Sequence, residues 1–229
     1  MTRHLHNEID KLKKKILGLS AKVEENVHSA VKSFIDRDEK LARMGVDADS
    51  EIDQLEVDVE EECLKILALH QPVANDLRFI IAILKINNDL ERIGDLASNI
   101  ARGTLHLDCT DKIEVPFDLL KMSDKVKLML KKSIDSLVNL DTGLAHEVCL
   151  ADDEIDDLHR QMYKIIGEKI RQFPGSLDCL IQFLSTSRQL ERIADHVTNI
   201  AEDVIYMIEG EIYRHRLDEY DALRDDKNH

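Results

Sequence analysis

The sequence predicts an all-α protein: two tandem three-helix bundles, six long antiparallel helices related by an internal repeat. Three observations carry this prediction. Apolar residues recur at helical three- and four-residue steps along nearly the whole chain. Only 8 Gly and 3 Pro interrupt 229 residues and aromatics make up 4%, a profile that suits amphipathic helices rather than sheets. The chain also writes one segment twice: residues 88–101 read NDLERIGDLASNIA and residues 188–201 read RQLERIADHVTNIA.

The elements follow in order. From Asn7 to about Ile35, Ile9, Leu12, Ile16, Leu19, Val23, Val27, Val31 and Phe34 form one stripe, and Gly18 costs a little propensity without breaking it. Asp38 is placed to cap a second helix over Glu39 to Leu69, whose stripe is Leu41, Ile52, Leu55, Val59, Cys63, Ile66 and Leu69. Pro72 ends that helix, because proline pushes the residue before it out of the helical region. Asn75 or Asp76 then caps a third helix that fades near Gly103. A linker, HLDCTDKIEVP, leads to Pro116, which opens a fourth helix to about Asn139. A fifth runs from about Leu144 to Arg171; the Pro174–Gly175 pair punctuates, and Ser176 caps the sixth.

The repeat covers more than the opening segment. Residues 30–53 align without a gap to 133–156 at an offset of 103, with Asp38, Ala48, Asp49, Ile52 and Asp53 recurring as Asp141, Ala151, Asp152, Ile155 and Asp156. Each half is therefore three helices, and short connections make neighbours antiparallel. The division places a first bundle over 1–108, a second over 109–210 and a charged C-terminal tail over 211–229.

Charge limits the partners. A formal net charge of −15 disfavours binding of nucleic acid or broad docking on anionic lipid, and favours cations or a basic protein surface. Cys63, Cys109, Cys149 and Cys179 show no C-x-x-C or short pairing, which reads as scattered thiols. The N-terminus has no apolar leader core, and no run approaches membrane-spanning length, so the expected location is the cytoplasm.

The repeated segment keeps its polar residues as well as its apolar ones. On a helix Leu90, Ile93, Ala97 and Ile100 share the core face, while Glu91, Asp95 and Asn99 stack one turn above another on the far side. Glu191, Asp195 and Asn199 repeat them one hundred positions on. A second acidic pair, Asp49/Asp53 and its copy Asp152/Asp156, lies on the preceding helix. Like charges four residues apart cost a helix a few tenths of a kcal/mol, so keeping both copies requires a reason.

Asp53 precedes Pro72 by about nineteen residues and Asp95 follows it by about twenty-three, which puts both roughly 30 Å from one turn along antiparallel helices. The pairs can then face each other at one level, where carboxylates repel unless protonated or bridged by cations. Oxygen donors of this kind suit magnesium, manganese, calcium or iron, whereas zinc usually adds nitrogen or sulfur. Asn99 and Asn199 could add neutral oxygens. Arg92 and Arg192 pair locally with the acids or hold them in place, and the unrepeated His196 reads as packing rather than as a ligand.

No P-loop, dinucleotide fingerprint or nucleophile elbow is present, and Glu25-x-x-His28 has only Leu128 and Lys131 as its copies, which breaks a di-iron pattern. The reading is therefore not an enzyme. The same acids also admit a helical structural or interaction protein with solvated acidic faces, or, more distantly, a metal-dependent phosphohydrolase or oxidase.

LERIGD in the first half, LERIADHVTNIAEDVIYMIEG in the second, the acidic segments at 49–53 and 152–156, and HQPVANDLR at 70–78 together resemble the PhoU family over essentially the whole chain. The resemblance implies two three-helix bundles with pseudo-twofold symmetry and metal sites built from paired acidic motifs. It assigns Asp49, Asp53, Glu91 and Asp95 to a first site, and Asp152, Asp156, Glu191 and Asp195 to a second. The ions implied are divalent or trivalent, iron, magnesium, manganese or zinc, singly or as clusters. It further implies a cytoplasmic, non-enzymatic negative regulator of phosphate uptake and phosphate-starvation signalling. The expected partners are a phosphate ABC transporter ATPase and a membrane sensor histidine kinase, with a homodimer left open. Ala194 departs from the family, which usually has glycine there, and so bears on how closely the helices approach.

Overall fold

The computed structural model describes residues 3–107 and 113–210. Among them the chain forms α1 (Arg3–Asp36), α2 (Glu39–Asp47), α3 (Asp49–His70), α4 (Ala74–Leu105), α5 (Phe117–Asn139), α6 (Thr142–Gln172) and α7 (Leu177–Glu209), with a 3-10 turn at Pro174–Ser176 and no strand. The all-α class and the two tandem three-helix bundles are as the pattern predicts. One bundle is α1, α2–α3 and α4; the other is α5, α6 and α7. Residue 109, the start of the second half, and the tail 211–229 lie outside the described residues.

Both halves turn their first corner in the same way. Arg37 and its copy Leu140 adopt the left-handed region (φ 56° and 53°), and the next residue closes a wide turn onto a buried serine. Asp38 N donates to Ser33 O at 2.9 Å, and Asp141 N to Ser136 O at 3.0 Å. The same aspartates then cap the next helix, accepting from Leu41 N at 3.0 Å and Leu144 N at 3.2 Å. At the far end, Gly210 (φ 79°) terminates α7 with its N–H on Tyr206 O.

The helix predicted over Glu39–Leu69 is broken at Ala48, where ψ opens to −19°. The cause is the pairing of Gly45 with Ser98. Ser98 Oγ donates to Gly45 O at 3.4 Å, placing a side chain in the helical ladder. A methyl on Gly45 would come within 3.3 Å of Ala101 Cβ, so only glycine allows this approach. In the copy, Val148 replaces Gly45 and α6 runs unbroken. Two smaller departures follow from the next turn. Leu69 is exposed because Gln71 leaves the helix in the left-handed region, and α4 starts at Ala74, so Asn75 and Asp76 sit inside its first turn rather than capping it.

The halves share one core. Leu12, Ile16, Leu19, Val23, Val27 and Phe34 are buried on α1, as their stripe predicts. Phe34 meets Phe183 of α7 edge-on with centroids 5.8 Å apart. α4 and α7 cross between the halves in antiparallel fashion: Lys85 Nζ is 2.9 Å from Asp203 Oδ1, and Asp89 Oδ1 is 2.8 Å from His196 Nδ1. A methyl on Gly103, farther along α4, would reach Gln182, earlier on α7. No helix among the described residues is long and apolar enough to cross a membrane.

The caps give the first test. Asp38→Ala and Asp141→Ala should each lower unfolding free energy by about 1 kcal/mol in denaturant titrations, the usual cost of a lost N-cap. An unchanged midpoint for both would show that the left-handed turns, not the caps, set these corners.

Candidate metal centre

The acidic pairs are brought together by apolar packing. Ile52, between Asp49 and Asp53, is buried against Gly94, between Glu91 and Asp95: a methyl on Gly94 would stand only 3.0 Å from Ile52 Cγ2. In the other half Ile155 and Ala194 hold the same places and are both fully buried, so the extra methyl is accommodated. Each contact fixes two antiparallel helices at a level that aligns the carboxylates beside it into a seam, one along α3–α4 and one along α6–α7.

The charges register this closeness. Burial raises the pKa of Asp53, and the charges of Asp49 and Asp95 add to it. Burial likewise raises Glu91, with Asp95, Glu56 and Asp53 adding to the effect while Arg92 opposes it. Asp152 is pushed up to about 6 by burial first, then by Asp195 and Asp156. Glu191 is raised by burial, Asp195 and Asp156, and Asp195 by burial and Asp156. All eight predicted acids therefore lie in two groups of four, one per half, as the two-site assignment requires. As placed, though, no three His, Cys, Asp or Glu side chains among the described residues converge into a coordination sphere. Mutual repulsion gives the physical reason: without a bridging cation the acids splay along the seam.

The donor set nonetheless suits a cation. Glu91 Oε2 is buried and accepts no hydrogen bond, although Arg92 Nε stands 3.3 Å away. Arg92 also reaches Asp95, at 3.3 Å, which is the local pairing expected of it. The two asparagines are occupied elsewhere. Asn99 Oδ1 accepts from Arg102 at 3.0 Å, and Asn199 Nδ2 turns to Asp89, 3.4 Å away, in the α4–α7 interface. His196 belongs to that interface too.

Sequence reasoning missed two features. Glu56 joins the first seam: its pKa is raised by burial, then by Glu60 and Asp53. Its place four residues after Ile52 was the available signal. The seams also differ in charge. Asp49 accepts from Ser98 Oγ at 2.8 Å and pairs with Arg102 at 2.7 Å. In the copy Arg102 is replaced by Glu202, and Thr198, in the place of Ser98, lowers the Asp152 pKa slightly while its hydroxyl makes no hydrogen bond of normal geometry. The second seam thus lacks the basic clamp of the first. Cys149 beside it is a buried free thiol pushed up to about 12 by burial, then by Glu202 and Asp152. Cys63 is also buried and free, whereas Cys179 takes part in a disulfide, a departure from the expectation of thiols throughout.

A duplicated three-helix unit carrying one acidic seam per copy defines a class of two-repeat helical proteins, and comparison identifies the family. The PhoU domain matches residues 16–104 and 119–204, and the chain belongs to the PhoU family. A phosphate-specific transport system accessory protein PhoU homolog of Clostridium acetobutylicum is 32% identical over 212 residues, covering 92% of this chain and 97% of the relative. One from Pseudomonas aeruginosa is 34% identical over 218 residues, covering 94% and 89%. The crystal structure of PhoU from Pseudomonas aeruginosa superposes with a TM-score of 0.84 at 34% identity, covering 90% of this chain and 99% of that one. The phosphate transport system regulatory protein PhoU from Streptococcus pneumoniae gives 0.84 at 29% identity, covering 91% and 98%.

The raised Asp152 sets a pH dependence for the metal-free protein. The native state keeps this proton up to about pH 6, whereas the unfolded chain releases it near pH 4. Its contribution to stability is therefore full below about pH 4 and lost as pH rises through 6. In chelator, Asp152→Asn should be more stable than the parent at pH 7 and should lose that part of the slope. Parallel stability–pH curves for the two proteins would contradict the shift.

Proposed function

We propose that the protein is a metal-binding regulator of phosphate uptake and phosphate-starvation signalling, acting through protein contacts rather than catalysis. The regulatory role is supported by relatives named as accessory and regulatory proteins of phosphate transport, matched over nearly their full length. The observation that carries the metal reading is the pair of acidic seams, where buried carboxylates are held together with raised pKa values. Cations relieve this repulsion without an internal counter-charge. In the first seam Asp49, Asp53, Glu91 and Asp95 would hold the ion, and in the second Asp152, Asp156, Glu191 and Asp195.

Bound ions would supply charge compensation and cross-link neighbouring helices: α3 to α4 in one half, α6 to α7 in the other. The carboxylates must rotate inward to do this, and Asp49 must share its oxygens with Ser98 and Arg102. The partners in this proposal are the ATPase of a phosphate ABC transporter and a membrane sensor kinase, met on the cytoplasmic side. The acidic body suits basic surfaces on such partners. A purely solvated acidic face is the weaker reading, because Glu91 Oε2 is buried away from water.

Glu91→Gln combined with Asp95→Asn tests the assignment. The pair removes two anionic ligands and their mutual repulsion, so the metal-free fold should be unchanged or more stable by a few tenths of a kcal/mol. Metal content per chain, measured by elemental analysis, should fall by about the share of one site while the second seam keeps its own. Full retention of metal would remove these residues from the site.

A further inference from the structure

The repeat allows each position of one seam to be compared with its copy in the other, and one residue changes in kind. Where α3 carries Glu56, α6 carries His159; where α4 carries Asn87, α7 carries Ser187. Both halves anchor the side chain at this position from the facing helix. Asn87 Nδ2 donates to Glu56 Oε1 at 3.1 Å and to Glu56 O at 3.0 Å. His159 Nδ1 lies 2.8 Å from Ser187 Oγ. One seam thus holds a carboxylate in place and the other an imidazole.

The hydrogen bonds around Ser187 fix the tautomer. Ser187 Oγ is 3.0 Å from Leu184 O, which can only accept, so the single hydroxyl proton is committed there. Ser187 Oγ must then accept from His159 Nδ1–H. A neutral imidazole protonated at Nδ1 carries its lone pair on Nε2, and that atom makes no hydrogen bond among the described residues. Anchoring one ring nitrogen to a neighbouring oxygen is how a ligating histidine is oriented and its tautomer set. Tyr163 packs edge-on against the same ring with centroids 5.2 Å apart, which restricts its rotation further. Asp156 precedes His159 by one turn of α6, and Glu191 follows Ser187 by one turn of α7, so the imidazole continues the acidic ladder.

We propose that His159 is a metal ligand through Nε2 beside Asp156 and Glu191, which makes the two halves sites for different classes of cation. The first seam, with Glu56 at this position, offers oxygen alone and suits Mg2+, Mn2+ or Ca2+. The second offers oxygen and one nitrogen and suits borderline transition ions such as Zn2+, Co2+ or Fe2+. The inference rests on the reading that the seams bind metal, and it assigns a division of labour within the duplicated fold. Glu202 in the place of Arg102 sharpens the contrast, since the second seam has no basic clamp to compete with the ion.

The test uses the full chain, stripped of metal and titrated with Zn2+ and Mn2+. Glu91→Gln with Asp95→Asn silences the first seam so that the second is read alone; Asp152→Asn with Asp156→Asn does the converse. The second seam should prefer Zn2+ over Mn2+ by a wider margin than the first. Adding His159→Glu, which copies the first half, should narrow that margin by about tenfold or more, since disturbing even an outer-shell partner costs that much. Should this variant lose helicity, His159→Gln serves instead, and Zn2+ affinity should fall while Mn2+ affinity is nearly unchanged. Binding by the second seam with one Zn2+-to-Mn2+ ratio in parent and His159 variants would overturn the role of His159 while leaving the seams as metal sites. Binding of neither ion by either seam would overturn both.

Discussion

The contact of Ile52 with Gly94, and of Ile155 with Ala194 in the copy, is the constraint on which the rest depends. Burying an isoleucine fully is worth about 1.5–3 kcal/mol, and the bundle cannot bury either one without closing its helices tightly. The residues beside these contacts are carboxylates, so closing the helices also presses like charges together. The repulsion along one helix is only a few tenths of a kcal/mol per pair, so packing wins. What remains of the conflict is visible in the acids themselves. Glu91 has a buried oxygen without a hydrogen bond, and Asp152 holds its proton to about pH 6. A cation is the partner that such seams lack.

Duplication explains why there are two seams, and divergence explains why they are not alike. In the first half Arg102 and Ser98 take up the charge of Asp49, and the Ser98 contact to Gly45 breaks the helix just before that aspartate. In the second half Glu202 and Val148 stand in the places of Arg102 and Gly45; the helix is continuous and the acid is unclamped. The interface between halves diverges as well. Lys85–Asp203 and Asp89–His196 lie at one end of the α4–α7 crossing. Their symmetry mates, Ser185 with Gly103 and Gln189 with Leu96, carry no charge. The crossing is thus charged at one end and small or apolar at the other, which fixes how the two copies are set against each other.

Much of this was legible in the residues. Helical periodicity, prolines at the boundaries and the matched aspartate caps place all six long helices, and the repeat places both acidic groups. Periodicity reports which face is buried but not which buried groups touch, and the misreadings lie there. The break at Ala48 depends on Ser98, fifty residues away, and Gly45 alone in a helical stripe does not announce it. Asn99 and Asn199 sit on the correct ladder, yet Arg102 and Asp89 hold them, and that competition is tertiary. Glu56 and His159 looked like ordinary polar-face residues until Asn87 and Ser187 were seen to anchor them. His196 was rightly read as packing, but its partner Asp89 lies in the other half.

The central claim is that apolar packing builds two cation sites on one chain. The most direct test is a crystal structure of the full chain soaked in Mn2+, with anomalous difference density used to locate the ions. The account predicts one strong feature in the α3–α4 seam among Asp49, Asp53, Glu91 and Asp95, and another in the α6–α7 seam among Asp152, Asp156, Glu191 and Asp195, with the carboxylates turned inward. Density confined to scattered surface carboxylates, with both seams empty and the acids still splayed, would contradict it.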